Sequence, residues 1–302
     1  MDILSYILIF IFGTIIGSFL NVVILRSYTG FTIKGRSRCF SCNTTLTWVD
    51  LIPVISYTCL KGKCRTCDSK ISPQYPLVEL STGILFVLVF NLFLPTTAPG
   101  MFLVFTHLLI ACLMVLIATY DIKHKIIPNA WVYSFILITF GLALMQGFNT
   151  DDFIWSSAEN FSLIFSHGYS IPWLYIISGP VTALPCFLIW LLSKGRAMGF
   201  ADSKLSLGMG FLLGMSQGIS AFAVSVWVGA IIGIALVLYA KIQKRIGEKI
   251  GSLNIGIKNF TRKSEIPFAP YLILGMYITL LFNLDVFHLD FFVNYLSMSL
   301  LQ

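Results

Sequence analysis

Apolar residues run along this chain in long blocks separated by short polar segments, at approximately 3–25, 77–95, 101–120, 130–147, 172–193, 205–217, 219–240 and 267–287. A helix of roughly 20 apolar residues crosses the hydrocarbon of a bilayer, because its hydrogen-bond ladder satisfies every backbone polar group within the segment. The pattern predicts an all-α, polytopic membrane protein with about eight transmembrane helices. The sixth block is short and holds Gly208, Gly210 and Gly214, a spacing that suits close helix packing or a broken, re-entrant segment. The first block starts at Met1 without a basic stretch and is too long for the apolar core of a cleaved leader, so it is expected to stay as a helix.

Composition agrees with lipid as the solvent. Of 302 residues, 57% are hydrophobic and only 11% charged, too few charges to cover a soluble globule. All 20 Lys and Arg residues fall in the segments 26–76, 121–129, 194–204 and 241–266. The opposite loops and the tail carry Asp151, Asp152, Glu159 and Asp290 instead. This one-sidedness is the positive-inside distribution and places the basic segments in the cytoplasm. The net charge of +7 therefore reflects topology. No nucleic-acid partner is expected, since the basic residues are spread over several short loops. The Gly-interrupted basic stretch 246–265 reads as a solvated loop near anionic lipid headgroups.

Between the first two blocks, residues 27–76 form a polar insert with five of the seven cysteines. Cys39 and Cys42 make one C-x-x-C, Cys64 and Cys67 a second, and 21 residues separate the pairs. That spacing suits two knuckles closing a tetrahedral zinc site, and a reducing cytoplasm disfavours the disulfide alternative. Four thiolates would fill the zinc shell, so the metal is expected to fold the insert and to do no chemistry. Cys59 is then spare, and Cys112 and Cys186 read as small packed side chains within spans.

Two carboxylates stand at block edges. Asp121 follows LLIACLMVLIATY at the end of the third block, and Asp202 lies in GRAMGFADSKLSLG at the start of the sixth. Both belong to the basic side, at one depth. Two carboxyls brought within a few ångströms share a proton, so that one activates water while the other polarises a scissile carbonyl. Taken singly, each reads better as an interfacial carboxylate paired with Lys123, Lys125 or Lys204, and it is the wider pattern that favours the pair.

The wider pattern resembles the prepilin leader peptidases of type IV pilus and type II secretion systems, which are membrane aspartyl peptidases. GSFLNVVILR (17–26), the paired C-x-x-C, SPQYPLVELSTG (72–83), Asp121 with Ile127-Pro128, GFADSKLSLG (199–208) and IPFAPYLILG (266–275) carry the resemblance in order over most of the chain. The resemblance implies that Asp121 and Asp202 are the catalytic pair and that Cys39, Cys42, Cys64 and Cys67 hold structural zinc. It implies a first helix over 1–26, a cytoplasmic zinc insert over 27–76 and a membrane peptidase domain over 77–302. It also implies prepilin and pseudopilin precursors as partners, a multi-pass place in the bacterial inner membrane with site and insert facing the cytoplasm, and cleavage of a short basic leader. Many members with the insert also methylate the new amino terminus with S-adenosylmethionine, although no Gly-rich nucleotide fingerprint is visible in this sequence.

The sequence departs from that pattern twice. Ala201 stands where a glycine usually precedes the second aspartate, which strains the loop if the backbone there needs a positive φ. Asn129 stands where an acidic residue commonly follows Ile127-Pro128. Glu79 is expected to tune the pair or position substrate, or simply to suit a helix start; Asn21 is expected to bond a neighbouring helix; His107 and His124 have no ligand-spaced partners. A presenilin-type protease is disfavoured by the cysteine insert. A zinc-binding scaffold or transporter would need ionisable groups near the bilayer centre, and an inactive pilin-binding relative would keep the motifs without the chemistry.

Overall fold

The computed structural model describes residues 3–27, 35–93, 98–148, 173–250, 267–287 and 289. The acidic residues Asp151, Asp152, Glu159 and Asp290, and the basic stretch from 251 to 265, lie outside the described residues. Among the described residues the chain is helical, with two isolated β-bridges and no strand. The helices are α1 (Ile3–Arg26), α2 (Ile55–Cys59), α3 (Gln74–Phe93), α4 (Ala98–His124), α5 (Asn129–Phe148), α6 (Trp173–Ser193), α7 (Phe200–Leu213), α8 (Met215–Ile250) and α9 (Ala269–Phe282).

Each apolar block falls on a helix, and the protein is a multi-pass membrane protein. Five segments are long and apolar enough to cross a bilayer: Ile3–Arg26, Gln74–Phe93, Gly100–His124, Leu174–Ser193 and Met215–Tyr239. Asn129–Met145 and Ala269–Phe282 are shorter apolar helices. The sixth block needs correction. Its helix runs over Phe200–Leu213, not 205–217, because Gly214 has φ +81°. A positive φ suits glycine and interrupts the helical ladder, so residues 215–217 belong to the next helix.

The chain forms two compact units. The first contains α1, the cysteine insert, α3, α4 up to Tyr120 and residues 128–138. Its tightest helix contact is that of α1 with α3. A Cβ on Gly13 would sit 2.8 Å from the Cα of Gly83, and one on Gly17 2.8 Å from the Cα of Glu79. Small residues one turn apart thus let two backbones touch, the usual substitute inside lipid for a hydrophobic driving force. Leu20, Ile24, Val78, Val115, Leu116 and Tyr120 complete that core. The other side of α1 faces outward: Leu4, Leu8, Ile11, Ile15 and Phe19 are exposed, at the spacing of a lipid-facing stripe.

The second unit holds Asp121–Ile127, Thr139–Gly147 and helices α6 to α9. Its helices also meet through small residues. A Cβ on Gly210 would collide with the carbonyl of Ser178, whose hydroxyl donates to the Gly210 carbonyl at 2.8 Å. Gly275 of α9 is pressed just as tightly against Ala221 and Ser225 of α8. The consequence for the site is that α7, which carries Asp202, is held in place by close backbone contact with its neighbour α6.

Candidate functional site

The four cysteines of the insert come together through two copies of one turn. In the first, the Cys39 N–H donates to the Thr44 carbonyl and the Asn43 N–H to that of Cys39; in the second, the Cys64 N–H donates to Ser69 and the Asp68 N–H to Cys64. Each copy is flanked by an antiparallel bridge, Arg38 with Thr45 and Lys63 with Lys70. Asn43 (φ 57°) and Asp68 (φ 53°) occupy the left-handed region, which short polar side chains tolerate best after glycine. The four Sγ atoms lie within 4.8 Å of one another, and all four thiols are free. Cys39 and Cys67 Sγ are 3.9 Å apart, close to the roughly 3.8 Å edge of a tetrahedron built on a Zn–S bond of about 2.3 Å. The cluster can therefore hold a metal ion.

The backbone prepares the ligands. The N–H of Cys42, followed by that of Ser41 and the Ser69 hydroxyl, lowers the Cys39 thiol to about 6, favouring the thiolate that metals bind. Asp50, which no sequence motif singles out, ties the two turns together. Its Oδ2 accepts the Thr47 hydroxyl at 2.6 Å and the Thr47 N–H at 3.1 Å, while Oδ1 accepts Arg65 Nε at 2.9 Å. Thr47 follows the first turn and Arg65 lies inside the second, so the carboxylate bridges them. The Thr47 hydroxyl first, and the Arg65 charge with it, holds the Asp50 carboxyl below its usual range. The only trace of this in the sequence is an acid within a mainly basic insert. Cys59 is exposed and outside the cluster.

The second unit brings Asp121 and Asp202 together. Asp121 lies in the last turn of α4 and Asp202 in the first turn of α7, and both are buried, at 5% and 7% exposure. Each carboxylate accepts one backbone N–H at the beginning of a helix. Ala269, first residue of α9, donates to Asp121 Oδ2 at 3.3 Å, and Gly199, the N-cap of α7, donates to Asp202 Oδ2 at 3.2 Å. Helix N-termini are the natural place for such acceptors, since their first amides lack intrahelical partners. Asp202 precedes the apolar run that begins at Leu205. Burial, and after it the neighbouring Asp121 charge, pushes its carboxyl up to about 7. A neighbouring like charge makes it costly to ionise both carboxyls at once. Sequence reasoning misses the donor from Ala269; the available signal is Pro267 and Pro270, which set where α9 begins.

Ala201 is not strained. It lies in the first turn of α7 and is absent from the residues with positive φ, so its Cβ adds no backbone penalty. Asn129 opens α5 directly after Pro128. Lys204 sits over the Phe200 ring, 5.1 Å from its centre. Asn21 bonds α3 as expected, donating to the Tyr75 carbonyl at 3.2 Å. Glu79 reaches the insert, where its Oε2 accepts the Val54 N–H at 2.7 Å. His107 is buried, with Nδ1 2.9 Å from the Leu103 carbonyl, and Cys186 is buried 3.0 Å from the Ser206 hydroxyl.

Two interacting carboxylates, each seated on a helix N-terminus within a multi-pass helical protein, are the layout of a membrane aspartic peptidase. Residues 11–93 match the bacterial peptidase A24 N-terminal domain and residues 108–234 the type IV leader peptidase family. A prepilin leader peptidase/N-methyltransferase of Klebsiella pneumoniae is 31% identical over 215 residues, covering 68% of this chain and 84% of that one. Proteins of the same description from Aeromonas hydrophila (29% identity, 93% of this chain and 91% of that one) and Bacillus subtilis (27%, 91% and 94%) align over nearly all of it. The chain belongs to the type IV leader peptidase family and is an aspartic peptidase. No solved structure matches it.

Proposed function

We propose that this enzyme removes the short basic leader from type IV prepilins and pilin-like precursors, with Asp121 and Asp202 as the catalytic pair. The observation that carries the reading is the pairing itself: two buried carboxylates in one unit, each held by one backbone N–H. The ionised member takes a proton from water as it attacks the scissile carbonyl, and the protonated member donates to the carbonyl oxygen. Proton return to the leaving amine restores the pair. The enzyme sits in the bacterial inner membrane with the site on the cytoplasmic face, a placement supported by the confinement of all 20 Lys and Arg to one set of segments. A basic leader stays on that face while the following apolar helix lies in the bilayer.

Residues 1–26 then form the first membrane helix, 27–76 the cytoplasmic insert and 77–302 the peptidase domain. Cys39, Cys42, Cys64 and Cys67 hold zinc, which supplies folding of the insert and has no open position for water. The names of the relatives support a second step in which the new amino terminus is methylated from S-adenosylmethionine. Incubating the detergent-purified enzyme with a prepilin and weighing the new amino terminus by mass spectrometry tests both steps. Cleavage by wild type and none by Asp121→Asn or Asp202→Asn is expected; cleavage by either variant at the wild-type rate removes the pair from the mechanism.

A further inference from the structure

The first unit buries a carboxylate of its own. Glu79, in the second turn of α3, is 6% exposed, and among the described residues no lysine or arginine forms an ion pair with it. Among the described residues its hydrogen bond is a neutral one, from the Val54 N–H at 2.7 Å. An isolated carboxylate in such a place is costly to keep and marks sites that receive a cation.

The backbone that Glu79 holds is itself unusual. Val54 has φ 62° and ψ −48°, and the Ile55 N–H turns back onto the Pro53 carbonyl at 2.5 Å. This is the rare three-residue turn with positive φ, unfavourable for any side chain and more so for a β-branched one. Strain of this kind persists where neighbouring groups fix it, and it gathers at functional sites. Here the Glu79 carboxylate is the fixing group.

A further acceptor lies on the same seam. Asn21, 1% exposed, gives its Nδ2 to the Tyr75 and Gly17 carbonyls, at 3.2 and 3.4 Å, while its buried Oδ1 has no partner. Gly17, one turn before Asn21, is the residue whose missing Cβ lets α1 touch α3 at Glu79, and Tyr75 is one turn before Glu79. The carboxylate and the unpartnered carbonyl thus occupy adjacent turns of one helix contact. A group that satisfies both needs several N–H donors and a positive charge.

We propose that Glu79 and Asn21 form the site for a free amino terminus, the methyl acceptor; this rests on the reading that the enzyme methylates what it cleaves. The bound ammonium passes one proton to the Glu79 carboxylate. The freed nitrogen lone pair forms a bond to the methyl carbon of a sulfonium donor as the carbon–sulfur pair withdraws onto sulfur, leaving a neutral thioether and a protonated secondary amine. Val54 acts as a positioning residue, because its N–H fixes Oε2 and so orients the carboxylate toward the amine.

The test uses the zinc-loaded full chain in detergent and a synthetic peptide with the cleaved amino-terminal sequence of a pilin, with its amine free or acetylated. Wild type should bind the free-amine peptide at least about tenfold more tightly, the scale of a charge-assisted hydrogen bond. Glu79→Gln, which keeps an acceptor for Val54, should bind both peptides alike and methylate at under about a tenth of the wild-type rate. Cleavage of the intact precursor, which uses the other unit's aspartates, is read alongside as the fold control. A wild type that does not distinguish the peptides, or a Glu79→Gln that still does, overturns the proposal. So does Glu79→Gln losing cleavage and methylation together, which marks a structural role. If wild type distinguishes the peptides, Glu79→Gln does not, and no methyl is transferred by either, the amine pocket stands and the methylation reading falls.

Discussion

The thiol cluster and the aspartate pair are both small groups of converging ionisable side chains, yet they are assembled by opposite means. In the cluster each C-x-x-C makes its own turn, with Asn43 and Asp68 supplying the left-handed residue and the following Thr44 and Ser69 closing the ring. Such geometry is local, since every bond that shapes a turn lies within a few residues of its cysteines. The aspartate pair draws on a distant partner as well. Asp121 takes its hydrogen bond from Ala269, 148 residues away, and depends on where α9 starts. A metal site can be written into a loop, whereas a carboxylate pair at this depth has to be built by packing helices.

That contrast sets the order of effects expected from perturbing each region. Asp121→Asn and Asp202→Asn should lower the initial rate of prepilin cleavage by at least about a thousandfold, the scale of lost acid–base catalysis, with insertion into membranes unchanged. Cys39→Ser, or a strong chelator, should take bound zinc from about one per chain to none and unfold the insert. Limited proteolysis between the two C-x-x-C pairs would report this. Cleavage should suffer much less than methylation, and an equal loss of both would erase the distinction between the regions. The pH profile comes next. Asp202, raised to about 7, keeps its proton in mildly acidic conditions and loses it as pH rises through neutrality. Cleavage should therefore fall toward tenfold per pH unit above neutrality as the shared proton is lost, and a flat rate between neutral and mildly alkaline pH would contradict it.

Smaller effects sharpen the same contrast. Asp50→Ala removes the tie between the two turns, but Arg65 is exposed and screened by water, so a loss of about 1 kcal/mol or less is expected, read as a few-fold weaker zinc retention in a competition with a chelator. Ala201→Gly should be close to neutral for cleavage, with a cost to α7 of about 1 kcal/mol at most. A large gain in rate on restoring glycine would show that the Cβ of Ala201 does displace Asp202.

The sequence discloses these regions unequally, and for the same reason. Apolar blocks of membrane length and a repeated C-x-x-C are local patterns, so the helices and the thiol cluster are legible directly. Asp121 and Asp202 are legible as anomalies at block ends, but their meeting is legible only through the family resemblance, because nothing local states which helix ends converge. Hydropathy alone puts the end of α7 too far along the chain, since Gly214 breaks the ladder inside a continuous apolar run. Ala201 looks like a strained substitution only until its backbone is seen to be helical. Asp50 and the Ala269 amide are invisible for a plainer reason: one is an ordinary surface acid until its three donors converge, and the other is a main-chain group that no side-chain motif records.

The paired aspartates also divide their labour atom by atom. In each, Oδ2 is occupied by an amide at a helix start, Ala269 for Asp121 and Gly199 for Asp202, and among the described residues Oδ1 carries no such bond. On the proposed mechanism, one oxygen of each carboxyl belongs to the architecture and the other is left to the reaction. Asparagine retains the architectural oxygen and alanine removes both, so the difference between the two substitutions measures how firmly the fold itself leans on its reactive groups.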